Sequence, residues 1–192
     1  MSKKEYWKAG NMLNPLPAVM VSLGNEKLKY NIITVAWVGN ICTNPPMLYI
    51  SIRKERFSFP ILEKTKEFVI NLVSKDLVYA CDYCGVKSGK DVDKFKELNL
   101  TPIKSKYVNA PSIDESPVNI ECRVKEIVPL GSHYMFISDI LGITVDSKYL
   151  DDKNRFDLEK CNLISYSHGF YYELGNNLGR FGYSVKKKWY YE

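Results

Sequence analysis

The sequence predicts a single, mainly β domain with peripheral helices, its short strands closed or nearly closed into a barrel. Three observations predict it. Short runs of β-branched and apolar residues recur along the chain, and turn residues rather than long helices separate them. One run, Val118-Asn119-Ile120-Glu121-Cys122-Arg123-Val124-Lys125, alternates apolar and polar residues without a break, the pattern of a strand with one buried and one wet face. Finally, 192 residues with no repeat, low-complexity block or Gly/Ser linker suit one core, so residues 1–192 read as one domain. Many short strands leave sheet edges to hide, and closing a barrel hides them.

Taken in order, residues 18–23 form a first strand that stops at the turn dipeptide Gly24-Asn25, and residues 30–37 form a second that ends on Trp37. Pro45-Pro46 punctuates the chain before a strand at 47–52. Ser58 then opens a short helix with Pro60 in its first turn, where a hydroxyl cap is favoured and a missing N–H is tolerated. A strand at 68–72 follows. Leu77, Ala80, Cys81 and Cys84 recur at helical spacing, with Gly85 placed as a C-terminal cap. After the alternating strand at 118–125, Pro129-Leu130-Gly131-Ser132 makes a turn, and the chain returns through 134–137 and Ile140 to Val145. A last strand includes residues 163–166.

Composition narrows the function classes. No stretch approaches the ~20 consecutive apolar residues of a membrane span. The N-terminus is charged and continues into Trp7 rather than the apolar run of a secretory signal. Five cysteines, an odd number scattered at 42, 81, 84, 122 and 161, make no disulfide framework, so free thiols in a cytoplasmic setting are expected. The net charge of +5 is dispersed apart from Lys186-Lys187-Lys188, which is not the concentrated stripe of a nucleic-acid binder. It favours attraction toward anionic small molecules or acidic redox partners instead. Fourteen tyrosines, with eight Phe and three Trp, supply planar faces for a flat ligand and equally fit half-buried strands.

Several local patterns point away from hydrolytic and metal chemistry. Cys81-Asp82-Tyr83-Cys84 has C-x-x-C spacing, but a zinc site needs two more ligands in register, and a redox dithiol usually opens a helix rather than closing one. The pair reads as thiols on a buried helix face. His133 and His168 lack metal-ligand spacing, and neither a Ser-His-Asp order nor a G-x-S-x-G elbow is present. Gly85-Val86-Lys87-Ser88-Gly89-Lys90 lacks the spacer of a phosphate loop and reads as a solvated loop.

A set of segments in sequence order resembles the flavin reductase-like family of split-barrel proteins, and within it the flavoredoxin branch. They are residues 31–37, Cys42-Thr43-Asn44-Pro45-Pro46, Ser51 to Ser58 with its Arg53-Lys54-Glu55-Arg56 run, Cys84 to Gly89 with Asp93-Lys94-Phe95, Pro129 to His133, and Tyr166-Ser167-His168-Gly169. The likeness covers residues 11–184. It implies a Greek-key split β-barrel, non-covalently bound FMN, and a homodimer whose interface helps wall the flavin. By the same resemblance Asn31, Thr34 and Trp37 serve the flavin ring and its chain, Ser58 and Lys94 the phosphate, and His133 and Tyr166 the ring surroundings. Cations near a helix start suit a phosphate, and one or two of Arg53, Lys54 and Arg56 are expected to touch it, Arg53 among them. The implied activity is electron transfer at the flavin, as a carrier or a flavin reductase, with no residue required as acid or base. The alternative is an FMN-binding module for storage or redox sensing without turnover. Gly131-Ser132-His133 stands where NAD(P)H-using members of the family show Gly-Asp-His, which leaves the donor, NAD(P)H or a redox protein, open.

Overall fold

The computed structural model describes residues 2–185; the lysine cluster at 186–188 lies outside the described residues. The strands in chain order are β1 (Leu16–Pro17), β2 (Val19–Asn25), β3 (Leu28–Val35), β4 (Val38–Cys42), β5 (Met47–Arg53), β6 (Glu67–Leu72), β7 (Pro102–Ile103), β8 (Ser112–Ile113), β9 (Val118–Pro129), β10 (His133–Val145), β11 (Ile164–Ser167) and β12 (Phe170–Glu173). The α-helices are α1 (Ser58–Thr65), α2 (Val78–Val86) and α3 (Lys94–Glu97).

Seven strands form one antiparallel sheet in the order β3-β2-β6-β9-β10-β5-β4. Its two edge strands, β3 and β4, are consecutive in the chain and joined by Ala36 and Trp37 alone. Two residues cannot cross an open sheet, so the sheet curls until its edges meet, and a barrel with a seam results. One backbone bond, from Ser51 N–H to the Trp37 carbonyl at 2.8 Å, extends the β4–β5 pairing by one residue into the link. The expected strand at 30–37 therefore stops at Val35, because Trp37 belongs to the closing connection.

Side-chain alternation sorts the core into two compartments. Val19, Val21 and Leu23 point into the barrel with Ile33, Ile50, Phe68 and Phe136. Met20, on the opposite face of β2, packs under α2 against Cys81 and Cys84. Both faces of β2 are thus buried, which is why its sequence is a nearly continuous apolar run. Helix α1 closes the barrel with Phe59, whose ring lies edge-on to Tyr134 and Phe136 at 4.9 and 5.6 Å. The excursion between α3 and β9 is pinned by buried polar groups: Asn71 Oδ1 accepts from Ile113 N–H at 3.0 Å, and buried Glu121 accepts from Lys106 N–H at 3.0 Å.

Two local expectations are corrected. Ser58 does not cap α1; Phe57 occupies the cap position, and the Ser58 hydroxyl turns instead to Asn31. Gly85 does not end α2, which continues to Val86 and stops at extended Lys87. A Cβ on Gly85 would lie 3.3 Å from Thr34 Cβ, so the glycine lets the helix sit close on β3. The last predicted strand, β11, pairs with β1 and β12 in a separate three-stranded sheet. His168 (φ 48°) and Gly169 (φ 87°) form its turn, the two left-handed positions of a tight hairpin. Among the described residues no helix is long and apolar enough to cross a membrane.

Candidate functional site

The site lies beside the seam, where β3 faces the end of β5 and the start of α1. A cleft of about 800 Å³ opens there, with β3 from Asn31 to Val35 and the link to Trp37 on one side and Ser51 to Ser58 on the other. The strand from Asn31 to Val35 runs roughly 13 Å before the link to Trp37 begins. The two ends of that span differ in chemistry.

At the Asn31 end the groups are polar and cationic. Buried Asn31 donates from Nδ2 to Ser58 Oγ at 2.8 Å. The loop after α2 lies directly on Asn31, and a Cβ on Gly89 would meet Asn31 Oδ1 at 2.1 Å. Lys29 clips the same loop by donating to the Gly89 and Val92 carbonyls at 3.1 and 3.2 Å. Lys94, buried in the wall, donates from Nζ to the Ile32 carbonyl at 2.6 Å and the Cys84 carbonyl at 2.8 Å. Arg56 donates to the Gly85 carbonyl at 3.2 Å. Both cations therefore end on carbonyls of the last turn of α2, where the helix dipole favours positive charge.

Lys94 makes no ion pair among the described residues. Burial pushes its ammonium down to about 8; nearby Cys84 opposes that shift, and Arg56 adds to it. Two of its three N–H groups donate to these carbonyls. A buried cation of this kind calls for an anion from outside the chain.

At the other end the groups are aromatic. Trp37, 41% exposed, lies nearly parallel to His133, with planes 13° apart and centroids 6.2 Å apart. His133 faces Arg53 across the β10–β5 ladder, and Arg53 reaches Glu55 at 3.4 Å. The Glu55 carboxyl is held below its ordinary value by its own backbone N–H, then by Arg53 and by His133. Tyr166 and Tyr171 make a further wall, their rings 5.5 Å apart, and the Tyr171 hydroxyl donates to Asp82 Oδ1 at 3.2 Å. Burial is the main cause pushing that hydroxyl's pKa up.

The eight residues singled out in the sequence, Asn31, Thr34, Trp37, Arg53, Ser58, Lys94, His133 and Tyr166, all line this cleft, but in separate groups. Asn31, Ser58 and Lys94 stand together. Trp37 and His133 form the second group, Tyr166 the third wall, and Thr34 sits between the ends with its hydroxyl donated to the Cys81 carbonyl. Arg53 pairs with Glu55 and faces His133, while Arg56, another of the three cations expected near the phosphate, reaches the Gly85 carbonyl. The stretch from Lys87 to Gly89, read as solvated loop, lines the cleft, as do Tyr171 and Glu55. The second glycine of Gly85-Val86-Lys87-Ser88-Gly89 was the available signal, because a loop glycine often marks close backbone approach.

A barrel whose cleft beside the seam is cationic at one end and aromatic at the other defines a binding protein for an elongated ligand, anionic at one tip and planar at the other. Residues 12–172 match the family model described as flavin reductase like domain, and the chain belongs to that family, which makes it a flavin-binding redox protein. Its fold places it in the flavoredoxin branch. It superposes on the flavoredoxin of Desulfovibrio vulgaris (Miyazaki F) with a TM-score of 0.88 and 29% identity, covering 96% of this chain and 100% of that one. For the flavoredoxin from Methanosarcina acetivorans the TM-score is 0.83 and the identity 26%, over 95% and 100% of the two chains. An uncharacterized protein of Archaeoglobus fulgidus is 33% identical over 141 residues, 73% of this chain and 78% of that relative.

Proposed function

We propose that this chain binds FMN non-covalently in the cleft beside the seam and passes electrons through it, as a flavoredoxin-like carrier or flavin reductase, in the form of a homodimer. The observation that carries this reading is the pairing, in one cleft, of a buried Lys94 with no ion pair among the described residues and a Trp37–His133 aromatic face beyond the far end of β3. Ser58, Lys94 and Arg56 hold the phosphate, with Ser88 and Gly89 beside them. Asn31 and Thr34 line the ribityl stretch, and Trp37, His133 and Tyr166 surround the ring. FMN supplies the electron chemistry, while the chain orients it and sets its potential and access. No side chain is assigned as a general acid or base.

Two measurements test the reading. The purified protein is expected to be yellow and to release FMN on denaturation. Stopped-flow mixing with NADH, NADPH and a reduced ferredoxin-type donor is expected to bleach the flavin rapidly with at least one of them. A colourless protein that fails to take up added FMN overturns the cofactor assignment, and slow bleaching with every donor leaves a binding module without turnover.

A further inference from the structure

The aromatic end of the cleft contains a hydrogen bond whose consequence reaches beyond holding a flavin. Gly131 adopts a positive φ of 86° in the turn between β9 and β10, and the turn closes through Leu130 N–H to the His133 carbonyl at 2.8 Å. This geometry brings the Ser132 hydroxyl to 2.9 Å from His133 Nδ1. The imidazole is then held on one edge by Ser132 and on one face by Trp37, so Nε2 is the nitrogen left for the cleft that His133 lines. The charged side chains around it are Arg53, directly across the ladder, and Glu55, paired with Arg53; Lys54 turns instead toward the Tyr134 ring.

A hydroxyl both donates and accepts. It can accept from a protonated Nδ1–H or donate to a bare Nδ1, whereas a carboxylate at the same place only accepts and favours the imidazolium most strongly. We propose that Ser132 is a positioning residue: it holds the His133 imidazole against Trp37 in both the neutral and the protonated state, so that Nε2 stays presented to the flavin ring whichever state the ring demands. This inference rests on the flavin reading of the cleft and adds to it a named residue and a titratable contact at the ring. Ser132 itself acts through His133, in the way an outer partner orients a ligand-binding imidazole.

The chain has only two histidines, so imidazole resonances followed by NMR against pH separate His133 from His168. His168 lies in the β11–β12 turn, does not line the cleft and serves as an internal control for folding. In the flavin-free protein, Ser132→Asp is expected to raise the His133 titration midpoint by about one pH unit or more, while Ser132→Asn leaves it near wild type. On adding FMN, wild-type His133 resonances are expected to shift. Ser132→Ala is expected to weaken FMN several-fold and to blunt that shift, and Ser132→Thr to restore both. Unchanged midpoints in Ser132→Asp together with an undiminished FMN response in Ser132→Ala, with His168 at its wild-type position, overturn the proposal. Failure of the cofactor reading looks different. Wild type then shows no FMN response although the Ser132 variants still separate in the flavin-free titration, and the Ser132–His133 coupling stands.

Discussion

At the scale of single residues, Lys94 carries the sharpest consequence. Its ammonium is buried between two carbonyls and is pushed down to about 8, chiefly by burial. An unfolded lysine keeps its proton to higher pH, so between pH 8 and about 10 the unfolded chain binds more protons than the flavin-free fold. The stability of that form therefore rises with pH through this window, as the buried charge is relieved. Bound FMN, in the proposed arrangement, is expected to reverse the sign. A phosphate dianion beside Lys94 raises its pKa again, so binding takes up a proton above pH 8 and affinity falls as pH rises. The phosphate's own second ionisation, near pH 6, is already complete there. Calorimetry at pH 8.5 in buffers of different ionisation enthalpy is expected to show proton uptake with FMN and none with riboflavin. Equal uptake with both ligands places Lys94 away from the phosphate. Gly89 supplies a second test. Gly89→Ala drives a methyl into Asn31 Oδ1 and displaces the side chain that holds Ser58, so FMN titrations are expected to show about tenfold weaker binding. An unchanged affinity contradicts that role for the loop.

At the scale of elements, α2 shows what local pattern conveys and what it hides. Leu77, Ala80, Cys81 and Cys84 at helical spacing are enough to place the helix and its buried face, and all four are buried. Burial pushes the Cys81 thiol up to about 12 and the Cys84 thiol to about 11, so neither is a thiolate at neutral pH. A disulfide-exchange reagent at pH 7 is thus expected to modify exposed Cys42 rapidly and to leave Cys81, Cys84, Cys122 and Cys161 untouched until the protein unfolds. Rapid modification of two thiols in the folded state points to a redox dithiol. The helix runs past Gly85 because that glycine serves a packing contact with Thr34, information that resides in β3 and not in α2. The run from Arg53 to Arg56 hides as much. Sequence proximity cannot show that the chain turns between Arg53 and Arg56 and gives the two guanidinium groups different partners, Glu55 for Arg53 and the Gly85 carbonyl for Arg56.

At the scale of the whole molecule, the barrel itself was legible because strand alternation and turn residues are local signals. The seam was not legible from those signals. It depends on β3 and β4 lying at opposite edges of the sheet while adjacent in sequence, and the Trp37 link shows this only once strand order is known. The flanking segments add a further consequence. Trp7, Leu13, Leu178 and Phe181 are large apolar side chains at least 82% exposed, a pattern expected where a second copy covers them. Light scattering in the presence of FMN is expected to give about twice the 22.2 kDa chain mass. A monomer at micromolar concentration with full flavin occupancy contradicts the homodimer.

The central claim is that one cleft binds a phosphate at the Lys94 end and a flavin ring at the Trp37 end, and comparing FMN with riboflavin tests it most directly. Riboflavin keeps the ring and ribityl chain but lacks the phosphate. Charge-assisted bonds contribute roughly 1.5 to 3 kcal/mol each, so two or three of them, discounted for desolvation, favour FMN by about 3 kcal/mol, on the order of a hundredfold. Lys94→Ala is expected to weaken FMN about tenfold or more and to leave riboflavin nearly unchanged. The measurement is a fluorescence-quenching titration of both flavins into wild type and Lys94→Ala. The account predicts a wild-type preference for FMN that shrinks in the variant; equal wild-type affinities for the two flavins, or equal losses for both in Lys94→Ala, would contradict it.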